Sequence, residues 1–242
     1  MVNASDIYAM GGRPIAVVDA LWSDGAEAAA PLLEGMKAAS ARYGIPLVGG
    51  HGNIRHDSSQ LSVAILGRAT RLLTSFDAQP GELLLAAIDL RGAYREPQPY
   101  WDAASRGAEG SRLRGDLELL PVIAEAGLSR AAKDISMAGL VGTALMLAEG
   151  SGIGMTIDPD RVPRPDGVPL ERWLASFASF GYLLTARPED AGGILDLFAQ
   201  RGIACAAIGE CVAGTELRLR RGPDEALFWD LRASPLVGCG PS

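Results

Sequence analysis

Cysteine is scarce and poorly placed for cross-linking: Cys205, Cys211 and Cys239 are the only three in 242 residues. An odd number without a Cys-x-x-Cys pair argues against a disulfide framework and against a zinc site, leaving buried or incidental thiols. Basic runs are missing as well. Against 22 Lys and Arg stand 29 Asp and Glu, for a formal charge of -7, so the cationic footprint that a phosphate backbone needs is absent and nucleic acid is not an expected partner. The apolar runs are short and broken by Gly, Pro or charge, and none approaches the roughly 20 residues that span a bilayer. The opening "MVNASD" has neither the basic nor the apolar region of a signal peptide. The expectation is a cytosolic protein with no membrane partner.

With 48% hydrophobic residues, the chain can bury a substantial core in one large domain or two ordinary ones. Its elements alternate, without an internal repeat. "RPIAVVDALW" (13–22) is a strand-length apolar run. "AEAAAPLLEGMKAASARYG" (26–44) sets Ala29, Leu32, Leu33, Met36, Ala39 and Tyr43 on one helical face and ends at Gly44. "IPLVGGHGN" reads as a short strand entering a glycine turn, and "SSQLSVAILGRA" as a strand with Val63 and Ile65 largely buried. Turn residues concentrate in "TSFDAQPGE" (74–82), which places a domain boundary there: 1–76 and 77–242. Beyond it come the strand "LLLAAIDL", a long polar loop over 91–110 of the kind that is functional or mobile, and a helix in "SRLRGDLELLPVIAEAGL" with a break near Pro121.

The most informative stretch is "AAKDISMAGLVGTALMLAEGSGIGMTID" (131–158). Lys133 and Asp134 precede Ser136, which suits an N-cap. An apolar helical stripe follows, from Met137 through Leu140, Val141, Ala144, Leu145 and Ala148 to a stop at Gly150. A charged pair at a helix amino end, with Gly139 and Gly142 allowing close approach, suits a phosphate. The other reading makes Asp134 a capping carboxylate and the glycines a close helix-packing site. "GSGIGM" follows a helix instead of opening one and is no dinucleotide fingerprint. Downstream, "ERWLASFASFGYLLTARPEDAGGILDLFAQRGIACAAIGECVAGTELRLRRG" reads helix, strand, helix, strand, strand, with "IACAAIGE" and "TELRLRR" expected as neighbours.

"VNASDIYAMGGRP", "PLVGGHGN", "QPGELLL", "KDISMAGLVGTALMLAEGSG" and "FASFGYLLTARPED" follow one another in the order seen in the superfamily of aminoimidazole-ribonucleotide (AIR) synthase, selenophosphate synthetase, thiamine-monophosphate kinase and the ATP-dependent hydrogenase-maturation factor. The chain most resembles the AIR synthase-related proteins within it, over nearly its whole length. The resemblance implies an α+β protein of two domains, a partial amino-terminal ATP-binding domain followed by an α+β carboxy-terminal domain. It also implies a homodimer whose amino-terminal domains share a sheet, ATP and Mg²⁺ near the domain interface, and phosphoryl transfer to a small-molecule substrate. Three departures qualify it. Members usually carry a glycine-rich, Asp-Asp segment ahead of the first motif, so Met1 is expected to fall inside the first domain. His51 and Gly52 stand where kinase-like members have an acid and commonly Thr. Met137 replaces the second carboxylate of the "DISDG" pattern, which weakens a thiamine-phosphate kinase reading.

Phosphoryl transfer is largely positioning and charge neutralisation. That chemistry, together with the resemblance, makes Asp6 and Asp134 the metal candidates and Lys133 a phosphate cation, the alternatives being helix caps and a solvated lysine. Asn3, Asp6, Gly49, Gly50, Ser136 and Gly139 are the expected nucleotide contacts, and His51 is aimed at substrate. Two functional classes stand: an ATP-dependent enzyme that activates or phosphorylates a small metabolite, and a ligand-binding or scaffold protein that keeps the fold without turnover.

Overall fold

The computed structural model describes residues 1–105 and 107–240; Arg106, inside the 91–110 segment, lies outside the described residues. The chain opens with helix α1 (Val2–Ala9), then strand β1 (Arg13–Asp24), helix α2 (Gly25–Tyr43) and strands β2 (Leu47–Asn53) and β3 (Arg55–Arg68). These strands form a three-stranded sheet in the order β2-β1-β3, with β2 parallel and β3 antiparallel to β1. Gly44 closes α2 in the left-handed conformation at φ 67°, as its place after the last helical residue requires. The polar start is helical, so Asn3 and Asp6 sit on α1. Nor is "GGHGN" a turn, because all of it lies within β2. Burial of this sheet is thinner than the apolar runs suggest. Val63 and Ile65 are half-buried, while Val18 and Leu66 are 43% and 61% exposed. Of the α2 face, only Ala29 is buried, and Leu33 and Ala39 face solvent.

The remainder supplies β4 (Leu83–Ile88), β5 (Ala93–Tyr94), β6 (Tyr100–Asp102), α3 (Gly110–Leu117), α4 (Leu119–Glu125), β7 (Ala131–Asp134), α5 (Gly139–Ser151) and β8 (Gly154–Ile157). It continues with α6 (Leu170–Leu174), β9 (Phe177–Ala178), β10 (Gly181–Ala186), α7 (Pro188–Gln200), β11 (Ala204–Val212), β12 (Glu216–Arg221) and β13 (Asp224–Asp230). Seven of these strands make one sheet in the order β13-β12-β8-β11-β4-β10-β7. β11 and β12 are not neighbours, since β8 lies between them. The long polar loop contains β5 and β6, which join β9 in a small third sheet. The break in the 111–128 helix falls at Glu118, between α3 and α4, and Pro121 lies within α4.

The large sheet is covered on both faces. Successive side chains of a strand point to opposite sides, so Leu84, Ala86 and Ile88 enter a core with α5 and α6, while Leu85 and Ala87 enter one with α1, α3, α4 and α7. At the end of β4 a charged network ties the helices down. Asp89 accepts from Arg91 Nε at 2.7 Å and Arg112 Nη1 at 2.8 Å, and Asp116 accepts from Arg201 Nε at 2.8 Å and Arg91 Nη2 at 3.0 Å. Burial works to raise the Asp89 pKa, but the bonds from Arg91 and Arg112 outweigh it and hold the carboxyl below its ordinary range. A lowered folded-state value means stability that is present above the ordinary carboxylate range and lost as pH falls through the folded value. Urea midpoints taken from neutral to acid pH are expected to show Asp89→Asn destabilised by about 1.5–3 kcal/mol at pH 7 and less sensitive to acid than the native protein.

Candidate functional site

Two groups of polar residues meet at α1. The first is built where α1 packs on β7, the edge strand of the large sheet. Asp134 is the last residue of β7, and the helix that follows starts only at Gly139. The charged pair therefore stands at a strand end, not at a helix amino end. Lys133 Nζ lies 3.5 Å from Asp134 Oδ1, and Ser136 Oγ donates to Asp134 Oδ2 at 3.2 Å. Ser136 is no N-cap: Ala138 holds that position without a side-chain bond, and the Ser136 amide donates to Thr143 Oγ1 at 3.0 Å. Asp6 approaches from α1. Burial, and then the Asp134 carboxylate, raise its pKa above the ordinary value, with Lys133 pulling the other way.

The second group runs along one row of the three-stranded sheet. Asn3 Nδ2 donates to the Val63 carbonyl at 3.5 Å, Val63 pairs with Asp19, and Asp19 pairs with Gly50, next to Gly49 and His51. A Cβ at Gly50 would run into the Asp19 carboxylate, so the space over this glycine is already filled by a side chain of the same sheet. Asp19 is a residue the sequence reading passed over, and its signal was there: the single acid within "RPIAVVDALW". His51 is exposed on β2. Among the described residues no hydrogen bond or ion pair joins it to Asp6 or Asp134.

Gly139 belongs to neither group. It has φ 70°, and a Cβ there would strike the backbone of Leu174 and Ala175 at the end of α6. Helix packing, rather than a ligand, accounts for it. Beside Met137 a cleft of about 640 Å³ opens between α2 and the small third sheet, lined by Arg42, Tyr43, Arg95, Tyr100, Asp102 and Phe177 among others. The same segment that reads as a long loop thus supplies one wall of the cleft.

Among the described residues no three His, Cys, Asp or Glu side chains gather as a metal nest. The donors present are nonetheless all oxygen: the Asp6 carboxylate, raised in pKa by burial and by Asp134, the Asp134 carboxylate, and the Ser136 hydroxyl beside it. Mg²⁺ commonly uses one or two carboxylates and completes its shell with water and substrate phosphate, so this set fits it.

Residues 1–69 match the AIR synthase related protein N-terminal domain, and residues 102–222 the AIR synthase related protein C-terminal domain. The chain belongs to the AIR synthase related family and has its two-domain α+β fold. It is similar to an uncharacterized protein of Synechocystis sp., with 48% identity over 98% of this chain and 74% of that protein. It is also similar to the selenide, water dikinase of Citrifermentans bemidjiense, with 26% identity over 85% of this chain and 71% of the dikinase. The fold matches T. maritima PurL complexed with ATP at a TM-score of 0.75 and 20% identity, over 98% of this chain and 40% of PurL. The chain thus spans about two fifths of that protein. No helix among the described residues is long and apolar enough to cross a membrane.

Gly139→Ala is expected to cost about 2 kcal/mol or more of folding stability, from the left-handed backbone and the clash with α6. Chemical denaturation checks the loss. Nucleotide affinity of the folded fraction, measured by calorimetry, is expected to stay unchanged.

Proposed function

We propose that this protein is an ATP-dependent enzyme that phosphorylates or otherwise activates a small metabolite, with Asp6 and Asp134 holding Mg²⁺ and Lys133 facing the phosphates. The observation that carries the reading is the packing of α1 on β7, which brings Asp6 to the strand end at Asp134, where burial and then the Asp134 carboxylate raise the Asp6 pKa. Similarity to a selenide, water dikinase, and a fold shared with a PurL that was solved with ATP, agree with it. Bound Mg²⁺ would neutralise phosphate charge. The chain's own residues do the rest: Ser136 orients Asp134, Lys133 offers a cation that its weak 3.5 Å pairing leaves free to turn, and the cleft beside Met137 receives the acceptor. His51 is assigned to substrate, and Asn3 and Gly49 to the nucleotide side, while Gly50 is left to the Asp19 carboxylate packed over it. Residues 1–76 and 77–242 are taken as the two domains, with the three-stranded sheet in one and the seven-stranded sheet in the other.

A second reading, a protein that binds ligand without turnover, draws on two observations: Asp134 already has two protein partners, and among the described residues no third acid completes the site. Asp134→Asn separates the two. It keeps the size of the side chain and an acceptor for Ser136 while removing the charge, so the melting temperature is expected to change little. Mg²⁺-dependent ATP turnover is expected to fall on the order of 100-fold and to be partly restored by added Mg²⁺, because mass action offsets weaker binding. Full turnover by this variant at low Mg²⁺ would remove Asp134 from the site, and tight Mg-ATP binding without ADP release in the native protein would favour the second reading.

The protein is also proposed to be a homodimer built through the three-stranded sheet, where Val18 and Leu66 project from paired strands into solvent. An apolar sheet face of this kind is stable only when covered. Light scattering at micromolar concentration is expected to give twice the chain mass for the native protein and a shift towards monomer for Val18→Glu. A native monomer would refute the dimer.

A further inference from the structure

The geometry points to Tyr182 and Ser5 as a positioning pair that holds the Asp6 carboxylate against Asp134, an assignment that rests on the proposed metal and nucleotide role of those two acids. Tyr182 stands on β10 directly opposite Asp134 in the β10–β7 ladder, and it is 0% exposed. Its hydroxyl lies 2.7 Å from Ser5 Oγ, and Ser5 immediately precedes Asp6 on α1. Among the described residues this is the single side-chain hydrogen bond from α1 to the large sheet. The other one made by α1, from Asn3, runs to Val63 of the small sheet.

The rest of the tyrosine ring is packing: it meets Phe180 edge-on with centroids 5.0 Å apart and fills the core between α1 and α4. Phenylalanine would satisfy that role. The hydroxyl has a separate task, because a buried phenol oxygen is tolerated only where it finds a partner. Here the partner fixes one turn of a helix of eight residues that carries no side-chain cap. Such a helix holds its place by tertiary contacts rather than by its own propensity. Two carboxylates that repel one another push against those contacts, and the Ser5–Tyr182 bond resists that push next to Asp6. The pair thereby converts the register of β10 against β7 into a fixed distance between acids on different elements.

Thermal unfolding of the whole chain tests this without any nucleotide. Asp6→Asn removes a desolvated charge facing a second one, so it is expected to raise the native melting temperature by about 2–4 °C. In a Tyr182→Phe background α1 is free to ease away, and the same change is expected to gain less than half as much. Ser5→Ala removes the bond from the other side, must reproduce this non-additivity, and carries the test by itself should Tyr182→Phe fold poorly. Equal gains from Asp6→Asn in all backgrounds would overturn the proposal, since a bond that holds Asp6 in place must appear as an interaction energy between the two changes. Added Mg²⁺ supplies the second arm. It is expected to raise the native melting temperature, and to raise that of Tyr182→Phe and Ser5→Ala less. Non-additive shifts with no effect of Mg²⁺ on the native protein would keep the positioning pair and overturn the metal reading alone.

Discussion

The ladder in which β10 runs between β4 and β7 carries the rest of the molecule. Leu183 faces the core beneath α5 and α6, while Tyr182, Leu184 and Ala186 face the core beneath α1, α4 and α7. Both faces are covered, so the alternation of the strand has to match two cores at once. A slip of one residue would exchange the two sets of side chains. It would also take Tyr182 to the wrong face, leaving α1 without its link to the sheet and separating Asp6 from Asp134. The register that fills the cores is therefore the register that assembles the candidate site.

Carboxylates are treated in two opposite ways in this structure. Asp89 and Asp116 are deeply buried, and three guanidinium groups neutralise them while joining β4, α3 and the turn after α7. Glu149, at the end of α5, accepts the amides of Leu236, Val237 and Gly238 and so secures the carboxy-terminal segment. Each of these acids has its charge or its lone pairs satisfied by the protein. Asp6 does not. Its strongest influences are burial and another carboxylate, and such an arrangement is retained at a cost that a cation or a proton would relieve. This contrast within one molecule supports the role proposed for the α1–β7 junction.

The three-stranded sheet is built under the opposite constraint from the large one. Its side towards α2 and α1 holds Val17, Val63 and Ile65 around a small apolar hollow, while Val18 and Leu66 remain exposed. Strands of this composition predict burial, and the chain by itself supplies cover for one side only. Asp19 shows the same economy at the scale of a residue, because a charge within an apolar strand is accommodated by omitting a side chain opposite it, at Gly50.

Periodicity and punctuation in the sequence determined much of the local structure: β1, α2 with its stop at Gly44, β4 and the run of α5 all lie close to where their patterns put them. The motif order also carried the family and the two-domain α+β class. These features are set by backbone preferences and by burial of one face, which neighbouring residues encode. What the sequence could not supply was every relation between distant segments. The α1 helix has too few residues to declare its period. β8 enters between β11 and β12 because non-sequential strands pair by the fit of their faces. The free space at Gly50 and Gly139 is occupied by Asp19 and by the end of α6, 31 and 35 residues away in the chain. A glycine reports that something must come close; only the tertiary structure decides what does. The meeting of Asp6 with Asp134, and the place of Tyr182 behind them, belongs to the same class, because such a site is a distance between elements and local sequence encodes only the elements.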